Sequence, residues 1–153
     1  MSLYTVALFV HIVGAVLIFV LLAIEGVGIW VGFSAAPINR VLGPISALAI
    51  LVPGLYMVAS GPGWRGWNVV GLVSYGLIAV LGAYTGIALM RGRMSAQAAT
   101  FSWLARIGLA LGVLFDMTIK PDLLVSILAV LVATLAGAGF VLAVRPRREV
   151  QRA

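Results

Sequence analysis

The chain contains no cysteine and a single histidine, His11. Without cysteine, disulfide bonds, thiolate metal sites and iron–sulfur clusters are all excluded. Acidic residues are also scarce, since Asp and Glu together number 4 and only 9% of the 153 residues are charged, whereas 63% are hydrophobic. A soluble domain of this size needs far more charge to cover its surface. The composition, with a mean hydropathy of +1.21, therefore predicts an integral membrane protein in contact with lipid.

Catalytic motifs are missing as well. The sequence has no Ser-His-Asp arrangement and no HExxH pattern, and Gly61-Pro62-Gly63 is followed by neither Lys nor Ser or Thr, as a phosphate-binding loop requires. This favours a non-enzymatic role. The net charge of +6 would suggest nucleic acid in a soluble protein, but here it indicates membrane topology and headgroup contacts, so no nucleic-acid partner is expected.

The apolar segments predict an all-α, polytopic membrane bundle that forms one domain over residues 1–153. Five transmembrane helices are expected, because five apolar stretches are separated by short loops rich in Gly, Pro, Ser and Arg. Their predicted bounds are about 3–33, 39–59, 66–90, 101–119 and 122–144.

The basic residues lie asymmetrically in this arrangement. Only Arg65 and Lys120 fall on one side of the membrane and Arg106 lies within a span, whereas seven residues fall on the other side: Arg40, Arg91, Arg93, Arg145, Arg147, Arg148 and Arg152. Because cytoplasmic loops carry the excess of Lys and Arg, the N-terminus is predicted outside and the C-terminus in the cytoplasm. The aromatic residues agree: Trp30 and Trp103 are expected near the inner interface, and Tyr4, Tyr56, Trp64 and Trp67 near the outer one.

Glycine pairs predict close helix packing. Three pairs have the small-xxx-small spacing that lets helix backbones approach in lipid, namely Gly28/Gly32, Gly82/Gly86 and Gly108/Gly112. Together with the short loops, they favour a small membrane protein that acts by helix packing, as a homo-oligomer or as an accessory subunit of a larger complex.

Four ionisable side chains other than tyrosine lie inside the predicted spans rather than at their first residues: His11, Glu25, Arg106 and Asp116. Each is expensive in hydrocarbon and should have a partner. The topology brings Glu25 and Arg106 to the inner half, and His11 and Asp116 to the outer half. We therefore predict a Glu25–Arg106 ion pair and a His11–Asp116 hydrogen bond between adjacent first and fourth helices, with Lys120 at i+4 sharing Asp116. The pairs are either structural or part of a ligand site or polar path.

Two alternatives involve cofactors. His11, Met57 and Met117 fall at similar depth near the outer side, and imidazole and thioether ligands suit Cu(I). With Asp116 they define an outer site for a transporter or a copper-handling protein. The second alternative is a redox protein that holds haem or quinone, although one histidine permits only His/Met ligation or five-coordinate haem.

Two segments resemble a known group. The run from Phe9 to Leu17 (Phe-Val-His-Ile-Val-Gly-Ala-Val-Leu) is similar to the N-terminal helix of small bacterial membrane proteins related to the copper-resistance D family. The run Met117-Thr118-Ile119-Lys120-Pro121 resembles the Met-x-x-Lys-Pro signature of an uncharacterised branch of that group. The resemblance implies a multi-pass protein of the bacterial inner membrane and a copper-handling role, and it carries His11, Met117, Lys120 and Pro121.

Overall fold

The computed structural model describes residues 1–141, which form five α-helices joined by short loops. The helices are α1 (Leu3–Val31), α2 (Ala36–Ser60), α3 (Gly66–Met90), α4 (Ala96–Ile119) and α5 (Leu123–Phe140). No strand occurs within residues 1–141. Every helix is long and apolar enough to cross a membrane. The predicted all-α bundle of five membrane-spanning helices is confirmed, and the chain is a multi-pass membrane protein.

Side-chain caps explain where several helices begin. Ser2, Ser95 and Asp122 each accept a hydrogen bond from a backbone N–H of the following first turn. The cap at Ser95 starts α4 five residues earlier than the predicted residue 101. At the other end of α1, Gly32 adopts φ +83°, so the helix stops at Val31 rather than at residue 33.

The last predicted span reaches beyond the described part of the chain. Helix α5 ends at Phe140, whereas the prediction extended to residue 144. Residues 142–144 of that span lie outside the described residues, as do the four predicted cytoplasmic arginines Arg145, Arg147, Arg148 and Arg152.

Helix α4 is the most buried of the five and packs against α1, α3 and α5, whereas α2 packs mainly on α1. The loops alternate between the two ends of the bundle. We call the end with loops 32–35 and 91–95 the arginine end, because it carries Arg40, Arg91 and Arg93. The opposite end, with Ser2 and loops 61–65 and 120–122, is the N-terminal end.

Glycines bring α4 and α5 into close contact. A Cβ on Gly112 would lie 2.7 Å from the Val130 Cα, and a Cβ on Gly137 would lie 3.3 Å from the Gly108 Cα. The predicted packing role of Gly108 and Gly112 is thus confirmed.

The other two glycine pairs do not act in this way. Gly28 faces the backbone of Phe33 in its own loop, and Gly32 is the cap of α1. Gly82 faces a side chain of α4. A Cβ on Gly86 would meet no atom of residues 1–141 within 4 Å outside its own stretch of helix. Within one chain, these two pairs therefore do not bring helix backbones together, since spacing alone does not tell which face meets a neighbour.

Candidate functional site

The predicted ion pair between α1 and α4 is present. The Nη1 of Arg106 donates to Oε2 of Glu25 at 2.8 Å, and Nη2 donates to Oε1. The Nε of the same guanidinium donates to the backbone oxygen of Ser102 at 3.3 Å. Arg106 is 3% exposed and Glu25 8% exposed. The fork geometry therefore compensates both charges within the bundle.

Small residues and an indole hold the two helices around this pair. A Cβ on Gly82 of α3 would lie 3.1 Å from Nη1 of Arg106, so glycine leaves the guanidinium its space. Trp103 of α4 packs on Gly26 of α1, and its indole N–H donates to the Leu22 backbone oxygen at 2.7 Å. The half-buried Trp103 thus joins α1 to α4, and its predicted position near the inner interface stays a prediction.

The ion pair lies in the wall of a cavity of about 900 Å³. Helices α1, α2, α3 and α4 all contribute to its lining. Apolar side chains such as Ile18, Ile29 and Ile78 make most of the wall, and Tyr75 adds a phenol. Gly43 and Gly86 also line it, and nothing lies within 4 Å of a Cβ built on either. Missing side chains therefore create part of the space.

A second polar region lies where this cavity reaches the arginine end. Ser34, Asn39 and Arg40 line the cavity there. The Oδ1 of Asn39 is buried and has no hydrogen-bond partner among residues 1–141. Arg40 is exposed, and the part of the chain that the structure describes gives it no carboxylate partner. Among residues 1–141, this region thus contains an acceptor without a donor and a cation without a counterion.

The predicted His11–Asp116 hydrogen bond is wrong. His11 faces α2, and its Nδ1 lies 2.9 Å from the backbone oxygen of Ile50. A backbone oxygen can only accept, so Nδ1 carries the proton. Gly54 makes room for the ring, since a Cβ there would lie 3.2 Å from Nδ1. Sequence reasoning paired His11 with a carboxylate and overlooked the backbone oxygens of the neighbouring helix.

Asp116 instead lies at the contact of α4 with α5. It is 0% exposed, and neither carboxylate oxygen has a hydrogen-bond partner within the described residues. The equally buried Ser126 of α5 lies beside it. Lys120, expected to share Asp116, places its ammonium 5.6 Å from the centre of the Trp67 ring. The cation–π contact keeps the Lys120 ammonium at the surface, and within the described part of the chain Asp116 has no counterion.

The residues proposed for copper point to different helices. His11 binds α2, whereas the terminal methyl of Met117 packs against Gly71 of α3. Met57 lies on α2, one helical turn after Gly54, which His11 contacts. No group of three His, Cys, Asp or Glu that could hold a metal occurs in residues 1–141. The arrangement does not bring the Met117 thioether to His11, and copper and haem stay predictions.

The sequence indicated the ion pair but missed the cavity beside it. The cavity depends on α2 and α3 lying apart, and no local pattern in either helix encodes that separation. The one available signal was Gly82/Gly86, where small residues on a helix face allow either close packing or open space. Apart from the charge of Arg40, nothing in the sequence around Asn39 and Arg40 indicated a binding site.

Comparisons with known proteins add no relative. No known protein family matches the chain, and neither a curated protein nor a solved structure gives a significant match. The resemblance to the copper-resistance D group therefore stays a prediction, and the geometry of the cavity is what bears on function.

Proposed function

We propose that this multi-pass membrane protein binds an amphipathic small molecule in the cavity between α1, α2, α3 and α4. The class includes membrane lipids and quinones with apolar tails. The observation that carries the proposal is the cavity itself, about 900 Å³ in volume, with mostly apolar walls and the buried Glu25–Arg106 pair. Pockets that enclose small ligands typically measure ~300–1,000 Å³ and combine apolar walls with few polar groups.

The layout of the helices favours entry from the lipid. Helices α2 and α3 border the cavity on opposite sides and do not pack closely on each other. A ligand with an apolar tail can therefore reach the cavity sideways, without crossing the aqueous phase. The Glu25–Arg106 pair supports this arrangement by holding α1 against α4 at the back of the cavity.

The charge asymmetry supports an orientation for this site. With the N-terminus outside, the arginine end lies on the cytoplasmic side of a bacterial inner membrane, and the cavity opens into the inner leaflet. Glu25 lies six residues before the end of α1, or ~9 Å along the helix axis, so the ion pair lies below the headgroups.

A matched pair of glycine substitutions tests the proposal. Gly86→Leu places a side chain into the cavity, where nothing lies within 4 Å of the new Cβ. Gly76→Leu is the control, because Gly76 is an exposed position of the same helix, also has open space, and does not line the cavity. Both changes favour the helix by up to ~1 kcal/mol, so neither should prevent folding.

The readout is native mass spectrometry of protein reconstituted with equal amounts of phosphatidylglycerol and phosphatidylcholine and then released from detergent. We expect wild type and Gly76→Leu to retain phospholipid, and Gly86→Leu to retain less. Equal retention by all three proteins would refute binding in the cavity.

An accessory or oligomeric role is the second candidate. Val41, Ile45, Leu48 and Val52 form an exposed apolar row on α2, which packs mainly on α1. A helix of a second copy or of a partner subunit could cover this row. The masses of the released complexes test this, since a homo-oligomer appears at a multiple of the chain mass and Leu48→Lys should disrupt it. Persistence of the oligomer in Leu48→Lys would contradict a contact at this row.

A copper-handling role has less support from the geometry, because His11 and Met117 are directed to different helices. Elemental analysis of the purified protein tests it. Stoichiometric copper that is lost in His11→Ala would support copper binding, and a metal-free protein would count against it.

A further inference from the structure

Two polar regions line the cavity, and they differ in whether their side chains already have hydrogen-bond and charge partners. At the first, Glu25 and Arg106 satisfy each other through two hydrogen bonds, and Nε of Arg106 is bonded to Ser102. An anionic group that bound Arg106 would have to displace a buried carboxylate and leave it uncompensated, which is strongly unfavourable. The ion pair is therefore a poor place for a charged headgroup.

The second region, at the arginine end, has unmet bonding capacity. The buried Oδ1 of Asn39 has no donor within the described part of the chain. An unsatisfied buried acceptor is unfavourable, so a ligand group that donates a hydrogen bond to it is favoured. The neighbouring Arg40 lines the same cavity and lacks a carboxylate partner among residues 1–141.

These two side chains specify complementary features of one headgroup. Arg40 favours an anionic group, and the planar guanidinium can bind a phosphate through paired hydrogen bonds. Asn39 Oδ1 can accept a hydrogen bond from a hydroxyl or amine group close to that anion. Ser34, which also lines this region, can donate to a second phosphate oxygen. Isoprenoid quinones lack the negative charge, and phosphatidylcholine has no headgroup N–H or O–H donor.

Apolar surface continues from this polar region into the cavity. Ile29 and Ile87 lie on its walls near the arginine end, and Ile18 and Ile78 line it farther from that end. A molecule with its headgroup at Arg40 can thus place an acyl chain alongside these residues. The headgroup would stay at the surface where anionic lipids accumulate if the arginine end is cytoplasmic.

We infer that the cavity binds an anionic glycerophospholipid whose headgroup carries a hydroxyl donor, with its phosphate on Arg40 and its hydroxyl on Asn39. The inference rests on the proposed function, because it names the ligand of the same cavity. It assigns headgroup recognition to Asn39 and Arg40 and leaves the Glu25–Arg106 pair as a structural element of the cavity wall.

The experiment compares three lipids that differ only in the headgroup. Wild-type protein is reconstituted separately with phosphatidylglycerol, phosphatidic acid or phosphatidylcholine of the same acyl chains, and retained lipid is measured by native mass spectrometry over a range of lipid concentrations. Phosphatidylglycerol supplies a phosphate with a net negative charge together with headgroup hydroxyls, and phosphatidic acid supplies mainly the charged phosphate. Phosphatidylcholine also has a phosphate, but its quaternary ammonium cancels the net charge and its headgroup has no hydroxyl. We expect affinity to fall in that order.

Two variants test whether Arg40 and Asn39 bind the lipid headgroup. Arg40→Gln should reduce affinity for phosphatidylglycerol by about tenfold or more, because a hydrogen bond to a charged group is lost. Asn39→Ala should reduce it by about 2- to 10-fold and abolish the preference over phosphatidic acid. Arg93→Gln is the control, since Arg93 is exposed at the same end and does not line the cavity.

The outcomes separate this inference from the function on which it rests. If Gly86→Leu lowers retention of all three lipids but wild type does not distinguish them, the cavity binds lipid and the headgroup inference is overturned. If Arg93→Gln weakens binding as much as Arg40→Gln, the selectivity comes from general surface charge and the assignment to Arg40 is wrong. If Gly86→Leu has no effect on retention, the proposed function fails as well.

Discussion

Removal of Arg106 should destabilise the bundle strongly, because it leaves the carboxylate of Glu25 buried without its partner. Arg106→Leu deletes both bonds to Glu25 and keeps an apolar side chain in the helix. Breaking a buried pair by removing one partner typically costs about 3–5 kcal/mol, and Arg106 and Glu25 are only 3% and 8% exposed. We expect a loss in this range for Arg106→Leu and a similar loss for Glu25→Leu.

The double variant tests whether Glu25 and Arg106 stabilise the protein as a pair or through independent interactions. When both charges are replaced by leucine, no uncompensated charge remains, and such replacements are often neutral or stabilising. The double variant should therefore be more stable than either single variant. The double-mutant cycle should then give a coupling energy of at least ~3 kcal/mol.

Unfolding in mixed micelles with increasing denaturing detergent measures these differences. Trp103 reports on the contact, because its indole N–H is bonded to the α1 backbone and its ring packs on Gly26. Arg93→Leu is the control for loss of an exposed arginine and should change stability by less than ~0.5 kcal/mol. Additive effects of the two single substitutions would refute the reasoning, as would an unchanged stability in Arg106→Leu.

Three further substitutions probe other contacts. Gly112→Ala should cost about 1–3 kcal/mol, because its Cβ would lie 2.7 Å from the Val130 Cα, whereas Gly76→Ala in open space should be neutral or stabilising by up to ~1 kcal/mol. Detergent unfolding of the pair checks this, and equal effects would contradict the α4–α5 contact. Asp116→Asn should keep or raise the thermal stability, since an uncharged group of the same shape replaces a buried carboxylate that has no counterion among residues 1–141; a large loss in the melting curve would contradict this. Trp103→Phe should cost about 0.5–1.5 kcal/mol in the same assay by removing one interhelical hydrogen bond, and no change would argue against that bond.

The Glu25–Arg106 pair could be predicted because few alternatives existed. Arg106 lies near the middle of its span, whereas Arg40 lies near the start of α2, and the alternation of the helices places Glu25 at a depth comparable to that of Arg106. A buried arginine in hydrocarbon needs an acidic partner, and the cost of leaving it unpaired is large enough to decide the outcome.

The same reasoning failed for His11, because a neutral side chain does not need a charged partner. A neutral imidazole needs only one acceptor for its N–H, and a backbone oxygen of the adjacent helix serves as well as a carboxylate. Ile50 O fulfils that need once Gly14 and Gly54 allow α1 and α2 to approach. Sequence spacing lists the polar side chains at a given depth, but it does not reveal which backbone groups a neighbouring helix presents.

The sequence by itself determined the five membrane-spanning helices and one buried ion pair. Apolar runs long enough to cross a bilayer must become helices, since lipid offers no other partner for backbone polar groups. Only the tertiary structure decided that α2 and α3 lie apart, that Gly86 faces open space, and that Asn39 and Arg40 line the resulting cavity. Those features depend on which helix faces meet, and in a membrane many faces are equally apolar, so packing contacts rather than hydropathy select among them.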